Sequence, residues 1–320
     1  MSRRGLVRLL AAAALAAGIA WLPLHLGWSR VLRPWQEVTG WNEIPPAQRG
    51  TAALDWPAAL GEPPRLDWLG HAGFLVRWHG RRLLLDPNLS ERCTVSPRLL
   101  ERPLGPEALG PIDAVLLSHA HYDHMDAATL RALPSVGALV VPAGSEDYVR
   151  GLRADARVLG LAWGAATRFG EVEVVAVPAA HNGSRYHPLA SAHTAAGYVL
   201  RAGGASLYFA GDTGRRNDFE AIARAYHPRL AILPIGGYAP SFPLRRYHLS
   251  PEDAVDVARR LGVAQVIPCH FGTFVVSLDG PGEALPRFAR AAARARLPWT
   301  MPRLARPEPG AVAAAPRSAP

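Results

Sequence analysis

The chain has 320 residues, 49% of them hydrophobic and 19% charged, enough to bury a large core in one domain or two. Its two cysteines, Cys93 and Cys269, exclude a disulfide framework, and Cys269 reads as a small buried hydrophobe. The net charge of +9 is carried by arginine alone, scattered with no block of five or six, so no nucleic-acid partner is expected.

Arg3, Arg4 and Arg8 precede residues 9–28, which hold no charged side chain apart from a protonatable His25. About 20 apolar residues cross the hydrocarbon core of a bilayer as a helix. Gly18-Ile19-Ala20 has the form of a signal cleavage site, yet the apolar run continues through Trp21-Leu22-Pro23-Leu24. Trp28 and Trp35 then stand beside Arg30 and Arg33, as interfacial anchors would. Residues 1–30 are therefore expected to be a single-pass membrane anchor with the globular part exported. The alternatives are a cleaved signal, leaving a secreted or periplasmic protein, and a peripheral apolar arm. Residues 31–63, rich in Pro and Trp, read as an extended linker arm, 64–300 as the globular domain, and 301–320 as a disordered tail of Ala, Pro and Arg.

Within the domain, residues 66–69, 74–78 and 82–85 read as short strands, with His79-Gly80 as a hairpin turn. A strand over 114–117 leads to a helix over 126–133; 138–141 is strand-like and 145–152 helical. In the second half, 171–177, 197–201 and 206–210 are predicted strands, 218–226 a helix and 230–233 a buried strand. Ser250 reads as the N-cap of a helix with Pro251 at its first position, ending at Leu261 before Gly262. Residues 282–296 close the domain.

The strand ending at Leu117 delivers Ser118-His119-Ala120-His121-Tyr122-Asp123-His124, three imidazoles and a carboxylate within six residues. His119 and His121 would share one face of an extended segment, and Asp123 and His124 could turn to a neighbouring point. Such donors suit zinc, and less selectively manganese or iron. His181, Asp212 and His270 each follow a further apolar β-type run, the strand end at which open α/β sheets place their sites. The set divides into His119, His121 and His181 for one ion, and Asp123, His124 and His270 for a second, with Asp212 bridging.

The ordered series His119-x-His121-x-Asp123-His124, His181, Asp212, His270 resembles the metallo-β-lactamase-fold hydrolases. Further motifs resemble the branch that contains N-acylphosphatidylethanolamine-hydrolysing phospholipase D and its bacterial relatives. They are Trp68-Leu69-Gly70-His71-Ala72-Gly73-Phe74, Leu85-Asp86-Pro87, Ala210-Gly211-Asp212-Thr213-Gly214, Leu233-Pro234-Ile235-Gly236-Gly237-Tyr238, His248-Leu249-Ser250-Pro251-Glu252-Asp253-Ala254 and His270-Phe271-Gly272-Thr273-Phe274. The resemblance spans 64–297 and implies a four-layer αββα sandwich holding two zinc ions. It also implies hydrolysis by a metal-bridging hydroxide.

The expected substrate is a phosphodiester of phospholipid type near a membrane. A lactonase or other ester hydrolase of small phosphorylated or acyl compounds is the alternative, and a membrane-tethered binding protein with a vestigial site is the alternative class. No Gly-x-Ser-x-Gly elbow offers a side-chain nucleophile. Asp123 is expected to be both ligand and orienter of the nucleophile, and Asp86 to support the His loop from behind. His71 and His248 are candidates to contact substrate, with Tyr238, Arg185 and Tyr186 behind them. His121, where flavodiiron proteins carry an acidic ligand, argues against a redox di-iron centre.

Overall fold

The computed structural model describes residues 35–51, 53–185 and 195–306. Its first six-stranded sheet runs in the order β1-β2-β3-β6-β7-β8. These strands are β1 (Arg65–Gly70), β2 (Gly73–Trp78), β3 (Arg81–Leu85), β6 (Ile112–Leu116), β7 (Val136–Pro142) and β8 (Arg157–Leu161). The first three are antiparallel neighbours and the rest pair in parallel. A two-stranded ribbon, β4 (Arg92–Cys93) with β5 (Ser96–Pro97), lies between β3 and β6 in the chain. The second sheet has the order β14-β13-β12-β11-β10-β9 and repeats the plan of antiparallel strands followed by parallel ones. Its strands are β9 (Ala166–Phe169), β10 (Val172–Pro178), β11 (Ala196–Ala202), β12 (Ala205–Phe209), β13 (Leu230–Pro234) and β14 (Gln265–Cys269).

Alternation along the strands builds the layers. Phe74, Val76, Leu83, Leu85, Ala114 and Leu116 enter the core shared with the second sheet, where Tyr198, Leu200, Leu207 and Phe209 meet them. Their neighbours Leu75, Leu84, Val115 and Leu117 point the other way, onto Met125, Leu130 and Leu133. Helices α1 (Trp35–Thr39), α2 (Ala127–Ala132), α3 (Glu146–Val149), α4 (Phe219–Tyr226), α5 (Ser241–Leu244), α6 (Pro251–Leu261) and α7 (Ala284–Ala295) complete the mixed α/β fold. The result is the expected αββα sandwich, with helices flanking the two sheets.

The described parts of the two terminal segments differ from expectation. The segment read as an extended arm is packed: Val38 and Ile44 are buried, Trp35 meets Trp68 edge-on, and Trp41 meets Trp299. The start of the presumed disordered tail is docked too. Trp68 N–H donates to the Arg303 carbonyl at 2.6 Å and Ala305 N–H to the Trp68 carbonyl at 2.8 Å, which extends the edge of β1. Residues 307–320 lie outside the described residues, as does the apolar stretch over 9–28.

The expectation of a single-pass membrane protein is corrected. Among the described residues no helix is long and apolar enough to cross a membrane. The 12-residue α7 is the longest described helix. At 1.5 Å per residue it reaches about 18 Å, short of a hydrocarbon core of about 30 Å.

Candidate metal centre

Four strands deliver the donors from their C-terminal ends. The loop after β6 carries His119, His121, Asp123 and His124, and His181, Asp212 and His270 follow β10, β12 and β14. Asp86, just past β3, shapes the first of these loops. Its carboxylate accepts Ser118 N–H at 2.7 Å, Ser118 Oγ–H at 2.5 Å and His124 Nδ1–H at 2.7 Å. His119 Nδ1–H in turn donates to Ser118 Oγ at 2.9 Å. Asn88 donates to the carbonyls of Tyr122 and Asp123 at 3.2 and 3.4 Å, and Tyr198 of the second sheet donates to the Leu117 carbonyl at 2.8 Å. Gly211, beside Asp212, has a φ of +57°, and a Cβ there would sit 2.5 Å from Ser118 Cβ. Glycine is what lets these two loops touch.

His119, His121 and His181 come together in one group, and Asp123, His124 and His270 with His71 in another. His121 Nδ1 lies 3.0 Å from His119 Nε2 and 3.2 Å from His181 Nε2. A tetrahedral ion bound at about 2.0–2.1 Å spaces its ligand nitrogens about 3.3–3.4 Å apart, so the triangle is close to the size of a metal site. His270 Nε2 is 3.4 Å from Asp123 Oδ2, and His124 Nε2 is 3.5 Å from it. Asp212 Oδ2 stands between the groups, 3.3 Å from His124 Nε2, 3.2 Å from His270 Nε2 and 4.0 Å from His181 Nε2. His71 joins the second group, with Nε2 2.9 Å from Asp123 Oδ2, and His248 Nδ1 is 3.5 Å from Asp212 Oδ2. His71 is held there by a positive φ of 52° and by its N–H donating to Thr273 Oγ1 at 2.7 Å.

Electrostatics matches this packing. Burial, reinforced by neighbouring imidazoles, holds His119 and His181 well below the ordinary range. It brings His71 to about 3 and His248 to about 4. Burial pulls His124 and His270 the same way, but the Asp212 and Asp123 carboxylates outweigh it, raising His124 well above its usual value and His270 to about 9. Asp123 and Asp212 stay well below the carboxylate range, because the histidine charges overcome the cost of burying them.

The donor set fits divalent cations. His124 Nε2, His270 Nε2 and Asp212 Oδ1 are buried without a hydrogen-bond partner among the described residues, within a cluster of nitrogen and carboxylate donors.

Other sequence candidates fall elsewhere. Tyr238 donates its hydroxyl to Glu283 Oε1 at 2.8 Å, away from the donors. Arg185 stacks on Tyr122 and donates to the Met125 carbonyl at 2.7 Å, at the rim of the His loop. Tyr186 lies outside the described residues. Asn88 and Arg98 have no place in the sequence reading, and Thr273, inside the His270–Phe274 motif, has no role there. Asn88 adjoins the Leu85-Asp86-Pro87 motif and could be found from it. Buried Arg98 ties the carbonyls of Leu69, Asn88 and Leu100 together, and nothing local in the sequence marks it.

Helices outside two facing sheets, with His and Asp donors gathered at one end of both, define the class: the metallo-β-lactamase fold with a candidate metal centre. The family model for the beta-lactamase superfamily domain matches residues 81–271, more than half of the chain, and the chain belongs to that superfamily. It is 35% identical over 250 residues to an uncharacterised protein of Mycobacterium tuberculosis, covering 72% of this chain. The match spans 65% of that relative's length. A metal-dependent hydrolase of Myxococcus xanthus is 34% identical over 247 residues, 75% of this chain and 82% of the relative. The N-acyl-phosphatidylethanolamine-hydrolyzing phospholipase D 1 of Caenorhabditis elegans is 29% identical over 225 residues, 65% of this chain and 63% of the relative.

Among solved structures, an isothiocyanate hydrolase from Delia radicum gut bacteria shares the fold at a TM-score of 0.61 and 19% identity, covering 74% of this chain and 95% of the other. A diiron β-hydroxylase from Streptomyces venezuelae also shares it at a TM-score of 0.53 and 22% identity, over 76% of this chain and 53% of the other. Fold alone therefore does not select the metal.

Proposed function

We propose that this hydrolase holds two zinc ions and cleaves phosphodiesters, with phospholipid-type diesters as the leading substrates. The observation that carries the reading is the position of Asp212 Oδ2, within 4.0 Å of a histidine nitrogen from each donor group. His119, His121 and His181 would hold one ion, and Asp123, His124 and His270 the other, with Asp212 shared. Ions so placed supply Lewis acidity and a water of lowered pKa. The C. elegans relative's name supports the phosphodiester class.

The chain's own residues supply order and polarity. Asp123 is steered by His71, whose Nε2–H donates to Oδ2 at 2.9 Å and so fixes the carboxylate's direction. His248, held to about 4 by burial, is neutral at pH 7, so it offers a hydrogen bond to a phosphoryl oxygen rather than an imidazolium proton. Its side chain is 15% exposed, against 1% for that of His71, so of the two it is the one a substrate can reach. In-line attack by water at phosphorus forms one P–O bond and breaks another, leaving a phosphate monoester and an alcohol.

The test is turnover by the zinc-loaded protein of bis-p-nitrophenyl phosphate, phospholipid vesicles and soluble lactones under identical conditions. Turnover of both diesters above the lactones is expected. Activity confined to lactones would transfer the assignment to a lactonase.

A further inference from the structure

Four histidines of the cluster, His119, His124, His181 and His270, turn Nε2 inward and Nδ1 toward the surrounding chain. For three of them the outward Nδ1–H is satisfied: His119 by Ser118 Oγ at 2.9 Å, His124 by Asp86 Oδ2 at 2.7 Å and His181 by the Tyr247 carbonyl at 2.9 Å. His270 breaks the pattern. Its Nε2 faces Asp212 and Asp123, while its Nδ1 is buried without a hydrogen-bond partner among the described residues. A buried N–H without an acceptor is unfavourable, and a metal-binding histidine almost always gives its far N–H to a carboxylate, a carbonyl or water.

A cavity of about 10 Å³ adjoins this histidine, lined among others by His270, Gly237, Ser277, Asp279 and Gly280. That is about the space one water fills. Among the described residues that line it, Asp279 is the one carboxylate. Oδ2 of Asp279 accepts Gly237 N–H at 3.1 Å, and Oδ1 accepts the Ser277 hydroxyl and, at 3.4 Å, Ala239 N–H. An ionised carboxylate oxygen takes two donors, so Oδ2 has capacity for one more. A Cβ on Gly236 would lie 2.1 Å from the His270 carbonyl oxygen and 3.5 Å from Asp279 Oδ2, which places the carboxylate beside the His270 backbone.

The geometry points to one ordered water in this cavity that accepts His270 Nδ1–H and donates to Asp279 Oδ2, making Asp279 the positioning residue of His270. The link fixes the tautomer with the Nε2 lone pair turned toward Asp212 and Asp123. It does for His270 through water what Asp86 does for His124 directly. The inference rests on the reading of His270 as a metal donor.

The experiment is a zinc titration of the full chain against a competing chelator, for the wild type, Asp279→Ala, Asp279→Asn and His270→Ala. Melting of each metal-free protein and long-range ¹H–¹⁵N spectra of the zinc-loaded proteins accompany it. His270 in the wild type is expected as the Nδ1–H tautomer. Asp279→Ala should weaken one zinc equivalent 10- to 100-fold and spare the other, and Asp279→Asn, which keeps an acceptor oxygen, should weaken it less. Unchanged affinity in Asp279→Ala, with one equivalent lost in His270→Ala, overturns the water link alone. Loss of both equivalents together with a lower metal-free melting point reduces Asp279 to a loop residue and also overturns it. If His270→Ala keeps both equivalents, the metal reading of His270 fails first.

Discussion

Nine side chains at this site illustrate how one burial cost is resolved in opposite ways. For His71 beside Asp123 and His248 beside Asp212, burial outweighs the carboxylate and holds them to about 3 and about 4. In the folded protein they bind protons less readily than in the unfolded chain, so their contribution is complete above pH 6.5 and lost as pH falls. At pH 5 each has lost about 2 kcal/mol, from 1.5 units at about 1.4 kcal/mol per unit. His124 and His270 are raised by Asp212 and Asp123, and their contribution runs the other way, complete below pH 6.5 and lost as pH climbs toward about 9. The metal-free protein should therefore melt highest near pH 6.5 and lower on both sides. Zinc takes the place of the protons on the raised pair, so the alkaline decline should disappear when the protein is loaded. Melting curves from pH 5 to 9, with and without chelator, check this. A metal-free melting point that keeps rising to pH 9 would show that the carboxylates do not hold His124 and His270 protonated.

At the scale of elements, what the sequence revealed depended on how strongly each segment contrasts buried with exposed positions. Residues predicted at 66–69, 74–78 and 82–85 became β1, β2 and β3 within a residue or two, because both faces of these strands are packed and their apolar runs are dense. The helix predicted from the Ser250 cap is α6, Pro251–Leu261, with Gly262 in the left-handed conformation at its end. Strand β8 went unread because it is an edge strand and only Leu161 in it is buried, which leaves little alternation to detect. The arm over 31–63 reads as extended from the sequence because Trp35 and Trp41 pack on partners distant in it, Trp68 and Trp299. The donor cluster is legible in the sequence because its residues follow apolar strands; the supports from Arg98 and Tyr198 are not, since they depend on which loops meet. The α6 cap also has a consequence for the site. Ser250 Oγ accepts Asp253 N–H at 3.2 Å, two residues after His248, so Ser250→Ala should cost about 1 kcal/mol. That corresponds to a melting point lower by about 2–4 °C. Zinc stoichiometry should stay at the wild-type value, because the cap supports His248 and not the seven donors. A loss of bound zinc in this variant would show instead that α6 helps position the ions.

The whole molecule is two similar halves whose contact is partly chemical. The apolar core joins the sheets through Phe74, Leu85 and Leu116 on one side and Tyr198, Leu207 and Phe209 on the other. At one end of that interface the donors divide by half as well, His119, His121, Asp123 and His124 from the first sheet and His181, Asp212 and His270 from the second. Each proposed ion would take ligands from both halves, so metal binding and docking of the sheets are one equilibrium seen from two sides. A ligand present at 1,000 times its dissociation constant stabilises the folded state by about 4 kcal/mol, which for a domain of this size is about 8–16 °C in melting point. Chelation should therefore lower the melting point by about that amount, and two equivalents of zinc should restore it. The far-ultraviolet circular dichroism of the chelated protein should change little at 25 °C, because the apolar core remains. Removing two of the three proposed ligands of the first ion by His119→Ala with His121→Ala should abolish the response to zinc at that site and leave the metal-free melting point within a few degrees of the wild type. A chelator-insensitive melting point in the wild type, with metal demonstrably removed, would mean that the two sheets are held by the core alone and that the donors do not couple them.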